Sequence, residues 1–228
     1  MAKQDRSALI VGASRGLGLG LARAFLARGW DVTATTRGEA PALAALSPVA
    51  PALARVDIDD DASVARLHAG LAGARFDVVF VVAGIADGAH VPLPQGDRAT
   101  ALKVYETNAV SPIRFAETFA DRVTPGGLMV LMSSVLGSVS LNESGGWESY
   151  RASKAALNTL ARSFSIRHGD APFGTVLMHP GWVRTDMGGP EADIDVATSA
   201  DGMVAVVEGQ LGRRGCAYLD YRGETVAW

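Results

Sequence analysis

Tyr150 and Lys154 lie four residues apart in a 228-residue chain that holds only four tyrosines and three lysines. On a helix that spacing puts both side chains on one face, a turn apart. An ammonium beside a phenol stabilises the phenolate and lowers the phenol's pKa from about 10 towards the working range of a general acid. A surface lysine beside a half-buried tyrosine satisfies the same spacing, so the surrounding elements must decide. Ala156, Leu157, Leu160, Ala161 and Phe164 recur at helical spacing and predict a buried helix from about Trp147 to His168.

Two further stretches carry groups suited to the same chemistry. Gly127 to Ser134 reads as an apolar strand that runs into Ser133 and Ser134. A hydroxyl at the carboxyl end of a strand can hydrogen-bond a carbonyl oxygen, and either serine is placed to do so. No Gly-x-Ser-x-Gly elbow and no Ser/His/Asp set accompanies them, which speaks against a hydrolase. A long helix is predicted from about Asp97 to Val123, with Leu102, Tyr105, Ala109, Ile113, Ala116 and Phe119 inward. Pro112 sits inside it and has no N–H for the carbonyl of Asn108. That carbonyl is left for a water or ligand, unless the proline merely kinks the helix.

The amino-terminal third supplies a place for a nucleotide. Ala8 to Val11 is a short apolar strand that ends in Gly12-Ala13-Ser14-Arg15-Gly16-Leu17-Gly18, followed by a helical face of Leu17, Leu21, Ala24 and Phe25. Glycines permit a tight turn and close approach of backbone to a pyrophosphate, and the helix N-terminus adds N–H groups and a positive dipole end. The next strand, Asp31 to Thr36, ends without the acid that would hold a ribose diol. Arg37 stands there instead, and alone or together with Arg15 from the glycine loop it suits a 2′-phosphate. Glu39 weakens that reading, and a solvated Arg37 is the alternative. Asp57, after a strand read over 54–58, either meets the adenine end of a nucleotide or starts a turn.

Strand and helix patterns alternate along the rest. Val64, Leu67 and Leu71 mark a helix with His68 as a structural residue, and residues 40 to 52 read as a poorly determined helix and loop. Phe76 to Gly84 is a run for a strand buried on both faces at the sheet centre, with Ala83 and Gly84 leaving room for a ligand at its carboxyl end. The loop to Gly96 carries His90 without evident partner. A strand from Phe173 to His179, a helix from Ala200 to Leu211 and a strand from Ala217 to Leu219 close the sheet. Between them, Arg184 to Ser199 is rich in Gly and acids with few apolar anchors, the profile of a mobile lid. The expected fold is a single-domain, doubly wound Rossmann α/β architecture over 1–228, with a mostly parallel sheet of about seven strands.

Composition narrows the function. A formal net charge of -3 with interspersed signs opposes a nucleic-acid footprint or a basic membrane surface. The lone Cys216 gives neither a disulfide framework nor a thiolate metal site, and reads as a small buried apolar residue. With no signal-like start and no apolar run of spanning length, the expected location is the cytoplasm.

In this order the motifs resemble the short-chain dehydrogenase/reductase family over essentially the whole chain, and in detail its carbonyl-reductase branch. The residues concerned are Gly12/Gly16/Gly18, Asp57-Ile58, Ala83-Gly84, Asn108, Ser133-Ser134, Gly145-Gly146-Trp147, Tyr150/Lys154 and His179 to Met187. The strand end at Arg37 points to NADP(H) rather than NAD(H) as the cofactor, and the resemblance implies reduction of an aldehyde or ketone and a homodimer or homotetramer. It implies Tyr150 as proton donor, Lys154 as its pKa depressor and a ribose ligand, Ser134 as donor to the substrate carbonyl, and Asn108 as holder of a relay water. The implied cofactor contacts are Gly12, Ser14, Arg15, Gly16, Leu17, Gly18, Arg37, Asp57, Ile58, Ala83, Gly84, Asn108, Tyr150, Lys154, Pro180, Gly181, Val183 and Thr185, with no metal. Two departures stand out. The family's Asn-Asn-Ala-Gly is Val81-Val82-Ala83-Gly84, which removes side-chain braces from the central strand. Ser134 also precedes Tyr150 by an unusually long interval of sixteen positions, which keeps Ser133 as a possible substitute. The competing class is a signalling protein that binds nucleotide without useful turnover.

Overall fold

The computed structural model describes residues 6–46 and 50–228. Strand β1 (Ser7–Val11) leads into α1 (Gly16–Ala27), then β2 (Asp31–Thr36), a short α2 (Pro41–Ala44), β3 (Ala52–Arg55), α3 (Asp61–Gly70) and β4 (Phe76–Val81). The second half runs α4 (Arg98–Tyr105), a π-helical turn (Glu106–Val110), α5 (Ser111–Phe119), β5 (Val123–Met132), α6 (Glu148–Arg167), β6 (Gly174–His179), α7 (Val196–Gln210) and β7 (Gly215–Asp220). Every strand pairing is parallel, in the order β3-β2-β1-β4-β5-β6-β7. The order reverses between β1 and β4, so their carboxyl ends border a crevice of the kind in which open α/β sheets bind ligands.

The period-2 alternation of the strands divides the core in two. Leu9, Val11, Val79, Val81, Met129, Leu131 and Leu177 face the layer of α3, α5 and α6. Ala8, Ile10, Val78, Phe80, Leu128, Val130, Val176 and Met178 face α1 and α7. Residues of β4 are buried on both faces, as its β-branched run predicts. No described helix is long and apolar enough to cross a membrane.

Several boundaries differ from the sequence reading for identifiable reasons. β3 spans Ala52–Arg55 rather than 54–58. The Val56 N–H still reaches Thr36 O, but β2 then turns, with Thr36 Oγ1 donating to Gly38 O, so residues beyond 56 have no strand to pair with. Val56 and Ile58 bury their side chains in the core instead. Among its described residues the 40–52 segment contains one helical turn, and residues 47–49 lie outside them. β5 begins four residues early at Val123 and stops at Met132, so Ser133 and Ser134 follow the strand. α7 begins at Val196, where Asp195 caps it by accepting from the Thr198 N–H.

The helix predicted from Asp97 to Val123 is interrupted by the π-helical turn, and this changes which residues face inward. Leu102 (61% exposed) and Tyr105 (42% exposed) point to solvent, whereas Val104 is buried. Counting back from Ala109 by regular helical steps fails because the turn's bonds span five residues, which rotates the preceding segment.

Candidate active site

Tyr150 and Lys154 share the buried face of α6, with Lys154 Nζ 5.7 Å from the centre of the Tyr150 ring. Lys154 Nζ donates to Met132 O at 2.9 Å, tying the helix to the end of β5. The two serines that follow are held in different ways. Ser133 Oγ donates to Asn158 Oδ1 at 2.6 Å, and Asn158 Nδ2 donates to Gly137 O. Ser134 Oγ accepts from the Leu136 N–H at 3.2 Å, and its hydroxyl is the polar group that offsets part of the effect of burial on the Tyr150 phenol. The Tyr218 hydroxyl donates to Ser134 O from beneath. Ser134, not Ser133, therefore faces the phenol.

The electrostatics depart from the sequence expectation. Burial pushes the Tyr150 phenol up to about 12, against the opposing effect of Ser134, and burial pulls the Lys154 ammonium down to about 8. Desolvation, which penalises each charged form, sets the direction of both shifts, the reverse of the acidified phenol that spacing alone suggests. A phenol so placed keeps its proton at neutral pH and is a donor.

Asn108 lies in the π-helical turn with its side chain fully used. Oδ1 accepts from the Ile85 N–H at 2.8 Å, while Nδ2 donates to Ile85 O at 2.8 Å and Ser153 Oγ at 3.0 Å. It thus braces the exit of β4 against α6, at the place where Val81-Val82 supply no polar side chain. The N–H groups of Val82 and Ala83 both reach Val11 O. The turn itself is fastened by Asp59, whose carboxylate accepts from Thr107 Oγ1 (2.7 Å) and Ser111 Oγ (2.6 Å) and pairs with Lys103 Nζ (2.9 Å). Burial raises the Asp59 pKa, but the bonds from Ser111, Lys103 and Thr107 outweigh it and leave the carboxyl below its usual range.

The glycine loop fits a phosphate-bearing group. Gly12 has φ of 92°, and a Cβ there would lie 2.9 Å from Ala83 N. A Cβ on Gly18 would lie 2.1 Å from Gly12 O, so only glycine permits α1 to start this close to β1. No side chain caps α1 and no acid occupies its first turn, which leaves its N–H groups and positive end directed at the crevice. Ser14 and Arg15 are exposed beside them. Arg37 is exposed past the tip of β2, and among the described residues no carboxylate pairs with it. The register Thr36↔Arg55 sets a second arginine beside that tip, on a cleft of about 420 Å³ shared with Glu39. Asp57 forms a turn, Oδ1 accepting from the Asp59 N–H, and Ile58 is buried.

The segment after β6 closes over the glycine loop. Val183 bridges Ile194, with the Arg184 N–H reaching Ile194 O and the Ile194 N–H reaching Trp182 O. Arg184 Nη1 donates to Ala192 O and Asp193 O, and Ala192 is buried. The segment thus has the anchors that its composition conceals. Gly181 has φ of 84°, and Pro180 O accepts from Ser199 Oγ. Thr185 Oγ1 accepts from the Gly188 N–H. Across the crevice Asp186 pairs with Arg15 at 2.6 Å, both side chains almost fully exposed, so Arg15 is partnered but exchangeable.

The other singled-out residues have structural partners. His68 packs edge-on against Phe119 and meets Asp121 at 2.9 Å. His90, expected without a partner, sits 4.4 Å from the ring of Trp147. Cys216 is half-buried against the core, its thiol pushed up to about 11 by burial. Among the described residues no cluster of His, Cys, Asp or Glu could hold a metal. Sequence reasoning missed Arg55 and Asp59, and it gave no role to Trp147 or Asn158, which entered only within stretches that carry the family resemblance. Only Trp147 carried a local signal, as a bulky residue after two glycines.

Comparison with known proteins places this arrangement. Residues 12–209 match the family model described as Enoyl-(Acyl carrier protein) reductase. C-signal of Myxococcus xanthus is 37% identical over 154 residues, 67% of this chain and 92% of that protein. A chain from Burkholderia multivorans, assigned as a short-chain dehydrogenase/reductase and solved with bound NADP, superposes with a TM-score of 0.94 at 43% identity, covering 98% of this chain and all of its own. A carbonyl reductase from Pseudomonas aeruginosa, in complex with NADP, gives 0.90 at 39% identity, covering 98% and 99%.

Proposed function

The chain belongs to the short-chain dehydrogenase/reductase family of oxidoreductases, and we propose that it is an NADPH-dependent reductase of aldehyde or ketone carbonyls. The observation that carries this reading is the convergence of Ser134, Tyr150 and Lys154 beside a crevice whose glycine loop and uncapped helix end suit a dinucleotide. Both NADP-bound neighbours support the choice of cofactor.

The residues that would hold NADP(H) are Gly12, Ser14, Arg15, Gly16, Leu17 and Gly18 at the pyrophosphate, and Arg37 with Arg55 at the 2′-phosphate. Asp57 and Ile58 would border the adenine, and Lys154 and Tyr150 the ribose. Ala83, Gly84, Pro180, Gly181, Val183 and Thr185 would enclose the nicotinamide end. The chemistry that a bound NADPH supplies is a hydride, delivered to the carbonyl carbon, leaving NADP⁺. Ser134 Oγ holds the carbonyl oxygen, and Tyr150 Oη gives that oxygen its proton as the C=O bond becomes CH–OH. Lys154 then faces the new phenolate at short range, where its positive charge counts most because the pocket is dry. Asn108 acts from the π-helical turn, and its backbone carbonyl, four residues ahead of a proline, holds the water through which Lys154 and Tyr150 regain protons. Leu102 and Tyr105, with Ile166 on α6, leave apolar side chains in solvent, which supports a homodimer or homotetramer.

The test is NADPH oxidation by a panel of aldehydes, ketones, diketones and quinones, with Tyr150→Phe beside wild type. Turnover should fall at least ~10²–10⁴-fold in the variant, with NADPH affinity kept. The similarity to C-signal favours a second reading, a nucleotide-binding signalling protein. That reading requires no turnover on any carbonyl and a Tyr150→Phe protein that keeps its cellular role.

A further inference from the structure

Trp147 is the only non-glycine with a left-handed backbone among the described residues. Its φ is 51°, and it follows Gly145 and Gly146 at 62° and 60°. A side chain bearing a Cβ is strained in this region. Nothing in the helix start requires a tryptophan, because its side chain makes no capping hydrogen bond to α6. The turn is nevertheless held firmly: Arg151 Nε donates to Gly145 O and Gly146 O, and Arg151 Nη2 donates to Ser144 Oγ. Strain kept at an over-determined turn next to a site directs attention to what the side chain does.

The turn aims the indole at the chemistry. Its ring centre lies 5.8 Å from that of Tyr150, edge to face. On another side stands His90, 4.4 Å away, carried by the loop after β4. That loop is fixed to the start of α6 by the Leu93 N–H, which donates to Glu148 Oε2 at 2.9 Å. His90 is exposed and Trp147 only half-buried, so this aromatic row is not core packing. Val91, Leu93 and Leu141 leave apolar surface around it.

We propose that Trp147 is a specificity-determining residue, an aromatic wall beside Tyr150 that selects carbonyls conjugated to a flat ring over aliphatic carbonyls of similar reactivity. The inference rests on the carbonyl-reductase reading above. An indole face or edge prefers another π-system in offset or edge-on contact. The contact is equal in ground and transition states, so it acts on KM more than on kcat.

The experiment compares 1-phenyl-1,2-propanedione with 2,3-hexanedione, two α-diketones that differ in the flat ring. Steady-state constants with NADPH are measured for wild type, Trp147→Phe, Trp147→Ala and Trp147→Gly, alongside melting temperatures. The preference in kcat/KM for the phenyl compound should fall about tenfold in the Ala and Gly variants, through KM, and largely survive in Phe. Trp147→Gly should melt no lower than Trp147→Ala, since glycine relieves the left-handed strain, and it supplies a folded variant if Ala does not. An unchanged ratio in either folded variant overturns the proposal. Should wild type reduce neither diketone, the carbonyl-reductase reading fails for this pair, and binding decides the role of Trp147. Quenching of tryptophan fluorescence by the phenyl compound that is lost in Trp147→Phe supports the wall; undiminished quenching in that variant refutes it.

Discussion

Lys154 should set the alkaline limit of activity while raising stability over the same pH range. Burial brings its ammonium to about 8 while the Tyr150 phenol rises to about 12, so the lysine titrates first as pH is raised. At pH 7 about nine in ten molecules carry a charged Lys154, and at pH 9 about one in ten. The parameter that reports the cofactor-free protein is kcat/KM for NADPH, and it should fall about tenfold per pH unit above ~8, well before the phenol loses its proton. Stability changes with the opposite sign. Between about 8 and 10.5 the unfolded lysine holds a proton that the buried one has released, so the unfolded state binds more protons and stability rises with pH. From pH 8 to 9 this amounts to about 1 kcal/mol. Cys216 opposes it increasingly from about 9 upward, because its thiol, raised to about 11, keeps a proton that the unfolded thiol loses. The assays are NADPH oxidation at saturating carbonyl from about pH 6 to 10, and urea unfolding of the cofactor-free protein at pH 8 and 9, with Lys154→Met as control. A rate that stays level to pH 10, or a wild-type stability change identical to that of Lys154→Met, would refute a desolvated, proton-shedding lysine.

Cofactor choice should follow the arginines at the tip of β2: Arg37→Ala, and more so Arg37→Ala with Arg55→Ala, should weaken NADPH binding while sparing NADH, and equal losses for both nucleotides would count against a 2′-phosphate site. Asp59→Ala should destabilise the fold by about 2 kcal/mol, because Thr107 and Ser111 lose their acceptor, and should lower kcat through Asn108, whereas Asp59→Asn should keep most of both; urea midpoints and rates at equal folded fraction separate the two effects. Amide exchange should find Arg184 and Ile194 protected even without cofactor, since both N–H groups are bonded across the closing segment; exchange at the rate of free loop amides would restore a mobile lid.

What the chain alone determined is whatever depends on near neighbours. Alternating apolar strands and amphipathic helices specify a parallel α/β sheet, because each periodicity fixes which side chains share a face. The glycine loop is legible because only residues without Cβ permit that approach, and Tyr150 with Lys154 because a four-residue spacing on a helix is a local geometry. Tertiary structure decided everything set by distant partners. β3 stops at Arg55 because β2 turns away, and Leu102 and Tyr105 face solvent because a π-helical turn, fastened by Asp59 from another element, rotates α4. Ser134 faces Tyr150 because Asn158 holds Ser133 on the far side. The segment after β6 is anchored through backbone hydrogen bonds, which composition does not encode. The clearest case is electrostatic: spacing suggests a phenol acidified by its lysine, yet both groups are drawn into a dry interior, and desolvation of each charge sets the direction of both shifts.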